Sequence, residues 1–314
     1  PPMKSPLLPH YSPARAAALA LALLAADALL LSHASAATYT WDGSSSANPV
    51  ATANWVGGVL PTWAADDDLF FRTVNTGNFT MTLMADRTVR SLTFGTNSTN
   101  DFKVSLNNTN GNTAYNLTMG NATNAATITL NATGGNVTIG SGIGSTFGNI
   151  TLGNSLTVNQ NSTSGLLTID RSISGGTYGV TKNGAGALTL SGTANTWNGT
   201  TTVSAGTTNL SGNLTAGGLI YVGGSSGAVL NITGNLTQTI SGGPRTLNLS
   251  QYANQNSTIN VSGSGILNTG GTGISLGTGN VGTGILNITG GTVTTGGTIE
   301  LSGNNSTLNV SAAA

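Results

Sequence analysis

Leu286-Asn287-Ile288-Thr289-Gly290-Gly291 alternates apolar and polar residues with period two and then stops on glycine. Such alternation marks a strand with one apolar face and one face of Asn and Thr. Leu286 and Ile288 are therefore expected to point inward, Asn287 and Thr289 outward. The phrase recurs. Ile266-Leu267-Asn268-Thr269-Gly270-Gly271 precedes it by 19 to 20 residues, and Leu308-Asn309-Val310-Ser311 follows Leu286 by 22. Ile259-Asn260-Val261-Ser262-Gly263 and Leu230-Asn231-Ile232-Thr233-Gly234 repeat it further back. From residue 37 onward, no 3.6-residue apolar period with capping residues accompanies these strands.

Short strands at this spacing fit an antiparallel sandwich, whose turns fall every 8 to 12 residues, or a parallel β-solenoid. The solenoid is favoured. Its recurring phrase lets like residues stack on like, Asn and Thr form ladders across parallel strands, and large aromatics are scarce after Phe147. The expected fold is all-β. Coils of about 20 residues over 97–314 would give roughly eleven turns and a rod near 50 Å long.

Composition agrees. Gly, Thr, Asn and Ser together make 164 of the 314 residues, and 6 % of the chain is charged, with nine cations balancing nine anions. No basic stripe can form to displace counterions from phosphates, which excludes nucleic acid as a partner. Zero cysteines remove disulfides, thiolate zinc sites and thiol nucleophiles. Charge and tryptophan concentrate early. Trp41, Trp55 and Trp63, with Asp42, Asp66, Asp67, Asp68, Arg72, Asp86, Arg87 and Arg90, all lie before residue 96. Residues 37–95 are expected as an N-terminal cap and 96–314 as the solenoid.

Lys4 and Arg15, the apolar run Ala16–Leu31 and the small residues Ala34-Ser35-Ala36 read as a secretory signal peptide over 1–36. The apolar run has 16 residues and contains Asp27, against about 20 for a spanning helix. Cleavage would leave a mature chain starting near Ala37, with no later segment able to span a membrane. His10 and His33, the two histidines, leave with the signal peptide, and with them the commonest general base.

One longer stretch carries a resemblance. Val180-Thr181-Lys182-Asn183-Gly184-Ala185-Gly186-Ala187-Leu188-Thr189-Leu190-Ser191-Gly192 continues through Asn195-Thr196-Trp197, Gly199-Thr200-Thr201-Thr202-Val203 and Gly206-Thr207-Thr208-Asn209-Leu210. It resembles the autotransporter-associated β-strand repeat, also called the passenger-associated transport repeat, over 180–210. Trp197 stands where that family usually has Tyr, Thr208 where it usually has Leu, and Asn198 where Gly or Ser is common. Tyr39-Thr40-Trp41-Asp42-Gly43, Ala53-Asn54-Trp55 and Asp67-Asp68-Leu69-Phe70 look like the opening of secreted proteins with this repeat. The resemblance implies a right-handed parallel β-helix in the exported part of a Gram-negative surface or secreted protein, often adhesin-like. It brings no catalytic residue.

Sites of chemistry are few. Gly223-Gly224-Ser225-Ser226-Gly227 spells a nucleophile elbow but lacks a histidine and a following helix. Gly277-Thr278-Gly279-Asn280-Val281-Gly282 spells a dinucleotide loop, again without a helix to present to phosphate. Asp66-Asp67-Asp68 could offer oxygen ligands to calcium; alternation lets at most Asp66 and Asp68 converge, and the run reads as a solvated turn. Asp170-Arg171 reads as a surface pair, and Lys182 as an ornament of a strand edge or turn. The 21 Asn-x-Ser/Thr sequons read as ladder residues set by the strand period. Thr80/Thr82, Thr127/Thr129, Thr237/Thr239 and Thr292/Thr294 suggest a flat threonine face, but their unequal spacing predicts no regular array.

A structural, adhesive or spacer passenger follows as the expected function: secreted or at the cell surface, non-catalytic, with no metal, no cofactor and no catalytic residue assigned. Glycans, matrix polymers or other surface proteins are the expected partners, and Trp197, Tyr221 and Tyr252 could stack on sugars. The alternative is a carbohydrate-binding or polysaccharide-degrading β-helix. After residue 100 its acids number three, Asp101, Asp170 and Glu300, too dispersed for a catalytic pair. The strand phrase at Leu308–Ser311 lacks a cap, so the sequence reads as a fragment of a longer protein.

Overall fold

A computed structural model describes residues 37–314 except 73–78, 96–100, 109, 111, 133–134, 141–145, 224–226, 241–244, 253, 278–281 and 313–314. Its strands form three sheets, which the chain visits in one fixed order on every turn from Asp68–Phe71 onward. Sheet A has eleven strands, from Thr38–Trp41 to Ile299–Leu301; sheet B has ten, from Phe79–Thr82 to Thr307–Ser311; sheet C has nine, from Arg87–Val89 to Thr292–Thr294. Neighbouring strands in each sheet pair in parallel. Helix among the described residues amounts to two 3-10 turns, Thr52–Asn54 and Val56–Gly58. The chain is a parallel β-helix.

Alternation makes it so. Ala126–Leu130, Leu156–Gln160 and Ala228–Ile232 each bury every second side chain. Stacking then sets like on like. Leu230, Ile259, Leu286 and Leu308 follow one another up the inner face of sheet B. Each such side chain, fully buried, contributes about 1.5–3 kcal/mol. Leu286 is buried and Ile288 packs against the core, while Thr289 is exposed, as the alternation requires. Ile288 is less covered because its upper neighbour, Val310, is 71 % exposed.

The outer face of sheet B carries the expected ladder. Asn309 donates its side-chain amide to Asn287, Asn287 to Asn260, Asn260 to Asn231 and Asn231 to Asn209, each at 2.7–2.8 Å. All five asparagines head sequons, so strand periodicity accounts for these sequons without glycosylation.

Two expectations change. Coil geometry begins inside the block expected as a cap, because Thr38–Trp41, Asp68–Phe71 and Ser91–Phe94 are already consecutive strands of sheet A. Aromatic stacking allows it. Phe71 and Phe94 lie face to face at 4.8 Å with Phe102 beside them, and Trp55 meets both Trp41 and Trp63 edge-on. Coil length also differs. Matched positions of sheet A, such as Ser91, Thr127, Thr157, Thr181, Thr202 and Tyr221, stand 36, 30, 24, 21 and 19 residues apart. The phrases at 266–271 and 286–291 therefore do not stack: Ile266–Asn268 lies in sheet C under Thr292–Thr294, and Leu286 lies in sheet B. The threonine pairs fall in different sheets, Thr80/Thr82 in B, Thr127/Thr129 in A and Thr292/Thr294 in C, and make no regular array, as their spacing predicts. Thr127, Thr157, Thr181 and Thr202 form one outward row, whose unequal sequence spacing reflects the changing corners between strands.

Candidate functional site

Residues 180–210 make one coil and the first two strands of the next: Val180–Asn183, Ala187–Leu190, Asn195–Trp197, Thr201–Val203 and Thr207–Leu210. In the first strand Val180 and Lys182 face inward and Thr181 and Asn183 outward. Lys182 is 2 % exposed, stacked between Val158 and Val203. It is thus a core residue, not the edge or turn lysine expected, because its position falls on the apolar beat.

Its ammonium has three N–H groups, and all three are used. Nζ donates to the carbonyls of Gly184 at 2.6 Å, Gly186 at 2.5 Å and Ala205 at 2.6 Å. The first two belong to its own corner and the third to the corner of the next coil. Burial lowers the Lys182 pKa to about 8. Glycine lets the backbone come this close. Gly184 has φ +81°, and a Cβ on Gly186 would run into the backbone carbonyl of Ser162 in the coil below. Lysine followed by glycine-x-glycine is therefore one device: a buried cation and the two-glycine corner it staples. Gln160 and Gln238 do the same with neutral amides, Gln160 Nε2 donating to Gly165 and Ala187, and Gln238 Nε2 to Gly218 and Thr246.

Asn195 serves the second corner. Its Oδ1 accepts from the Ile173 N–H at 3.0 Å, and its Nδ2 donates to Gly192 O at 2.7 Å and Asn213 O at 2.9 Å. Three successive coils meet on one side chain. Two residues on, Trp197 is 1 % exposed and donates Nε1–H to Thr201 Oγ1 at 2.7 Å. It fills the core and cannot stack on a sugar, contrary to expectation. Tyr221 is half-buried on the outer face of sheet A, and Tyr252 is 63 % exposed.

A cavity of about 20 Å³ lies among Lys182, Trp197, Thr208, Leu188 and Leu230. Thr208 stacks between Leu188 and Leu230, and among the described residues its buried Oγ1 has no hydrogen-bond partner. Such a hydroxyl costs about 1–3 kcal/mol. Thr208→Val should therefore raise the unfolding free energy by about 1 kcal/mol in urea titrations. A loss instead would mean that a water bonded to Oγ1 fills the cavity.

The acidic run divides. Asp67 is 2 % exposed and accepts from Thr62 Oγ1 and the Ala64 N–H, so it ties a turn and is not solvated. Asp68 opens a strand and faces outward, paired with the Arg90 guanidinium and accepting from Ser91 Oγ at 2.6 Å. Burial pushes the Asp68 carboxyl up, but the hydrogen bonds from Arg90 and Ser91 and the Arg90 charge outweigh it and hold it below its usual value. Asp66 lies in the turn, half-buried. Among the described residues no three His, Cys, Asp or Glu side chains are placed to hold a metal. Arg171 approaches Asp170 at 3.5 Å and lies 4.5 Å from the Phe147 ring centroid, half-buried at a corner. The elbow-like and dinucleotide-like loops include residues 224–226 and 278–281, and these, with residues 1–36 expected as a signal peptide and their two histidines, lie outside the described residues.

Residues 180–210 match the family model of the passenger-associated-transport-repeat. Lys182, Gly184, Gly186, Asn195 and Trp197 lie within that match, and each has the structural role given above. No curated protein and no solved structure matches the chain.

Proposed function

We propose that the chain is an autotransporter passenger, exported and then secreted or displayed at the cell surface, where it acts as a stiff, non-catalytic rod that spaces and adheres. The repeat at 180–210 carries this reading. The coil physics supports it. Strands closed into three continuous sheets leave few backbone groups for a protease to pair with, and stacked asparagines stiffen the outer face. Hydroxyl and amide rows on the outside suit hydrogen bonding to glycans, matrix polymers or neighbouring rods.

Export is tested by sequencing the N-terminus of secreted or surface material, which should begin at Ala37 or within a residue of it. Material retained inside the cell and beginning at Met3 would overturn the export reading. The non-catalytic part is tested by turnover assays on pectins, alginates and glucans, where no cleavage is expected. Cleavage abolished by Asp66→Asn or Asp68→Asn would place an enzyme in the first coils.

A further inference from the structure

The outer face of sheet A carries, over its second to fourth strands, a wide polar groove of about 400 Å³, lined by Asp68, Arg90, Ser91, Thr93, Asn124 and Thr127. Its floor is a carboxylate-guanidinium pair. Asp68 is bound by Arg90 Nε at 2.9 Å and by Nη2, which occupies two of the five N–H groups of Arg90. Donors and acceptors thus sit side by side, as a pair of sugar hydroxyls requires. Their charges cancel, and Asp66 nearby adds a negative field that also acts on Arg90. A uronate or sulfate would meet that field; a neutral sugar would not.

The groove does not end blindly. Asp68, Ser91, Thr127, Thr157, Thr181, Thr202 and Tyr221 are successive members of one outward row, in register and each half-buried. Six strand spacings from Asp68 to Tyr221 give a track of about 29 Å, comparable with an extended chain of about six sugar residues. Hydroxyls line the track, one per coil, and an aromatic ring stands at its far end, where sugar faces stack.

We propose that this groove and its row are a binding site for a neutral, extended polysaccharide, gripped at one end by Asp68 and Arg90 and at the other by Tyr221. The proposal deepens the adhesive reading and rests on it.

Calorimetry of the purified chain with cellohexaose, cellobiose and an oligogalacturonate of six residues tests it. Cellohexaose should bind at least tenfold more tightly than either of the others. Arg90→Gln and Thr127→Val should each weaken cellohexaose about tenfold, the loss of one to two hydrogen bonds. Thr127→Val keeps a β-branched residue on the strand, so it folds even where the Arg90 variant does not. Tyr221→Ala should weaken cellohexaose and leave cellobiose unchanged. No binding of cellohexaose, equal binding by chain and variants, or preference for the oligogalacturonate would each overturn the proposal. Export, read by N-terminal sequencing, fails or succeeds separately: an exported chain that ignores cellohexaose sinks the glycan site alone.

Discussion

Lys182→Met will lower the unfolding free energy at pH 7 by about 3 kcal/mol, because it leaves three corner carbonyls without the donor they share. Met keeps the length and apolar stem of the side chain, so little packing is lost. Stability should also follow pH in a way that the variant does not. Burial sets the folded pKa at about 8, against 10.5 for an ordinary lysine. Between those values the unfolded chain holds the proton and the folded chain has released it. The unfolded state binds more protons, so stability rises with pH through that window, and the Met variant lacks this rise. Tyrosines and other titrating groups are common to both proteins and cancel in the difference. Urea titrations at pH 7, 8, 9 and 10 should show the gap between the two widening. A gap that narrows toward pH 10 would show that the three carbonyls favour the ammonium more than burial opposes it.

Strand alternation was legible from single phrases, and so was the parallel stacking that it implies. Leu286 and Asn287 lie on the faces their period demands. Coil length was not legible, since a coil holds three strands and phrases from different sheets look alike. Leu267 and Leu286 have similar surroundings in sequence and sit in sheets C and B. Corners vary from the single residue Arg90 between Val89 and Ser91 to the longer corner 120–125 between Met119 and Ala126, so no one period exists to be found. The buried polar residues were missed for a related reason. Lysine and aspartate read as solvent-facing by type, whereas Lys182 and Asp67 are placed by position, on an apolar beat and inside a turn. The usable signal was Val180-Thr181-Lys182-Asn183 itself, in which Lys182 shares the parity of Val180. Asp68 and Arg90 come together across 22 residues through the register of sheet A, which no local pattern encodes.

Position likewise determines what Asn195 can be replaced by. Asn195→Leu is expected to cost about 3–4 kcal/mol, since it strands the Ile173 N–H and the Asn213 carbonyl in the interior and takes one donor from Gly192. Leucine keeps the branched shape of the side chain and is the larger of the two, so the loss does not come from a cavity. Asn195→Asp is the sharper test. A carboxylate there could still accept from Ile173, but it would face the Gly192 and Asn213 oxygens with lone pairs and no proton. Burial and those oxygens raise its folded pKa above the unfolded value of about 3.9. The folded state then binds more protons, so stability falls as pH climbs from the unfolded pKa to the raised one and stays low above it. Below about pH 4 the protonated acid regains one donor, and most of the penalty disappears. Urea unfolding at pH 3 and pH 7, each referred to the unsubstituted chain, should show a deficit of several kcal/mol at pH 7 that shrinks on acidification. An equal deficit at both would mean that Asn195 fills space at the corner without joining its three coils.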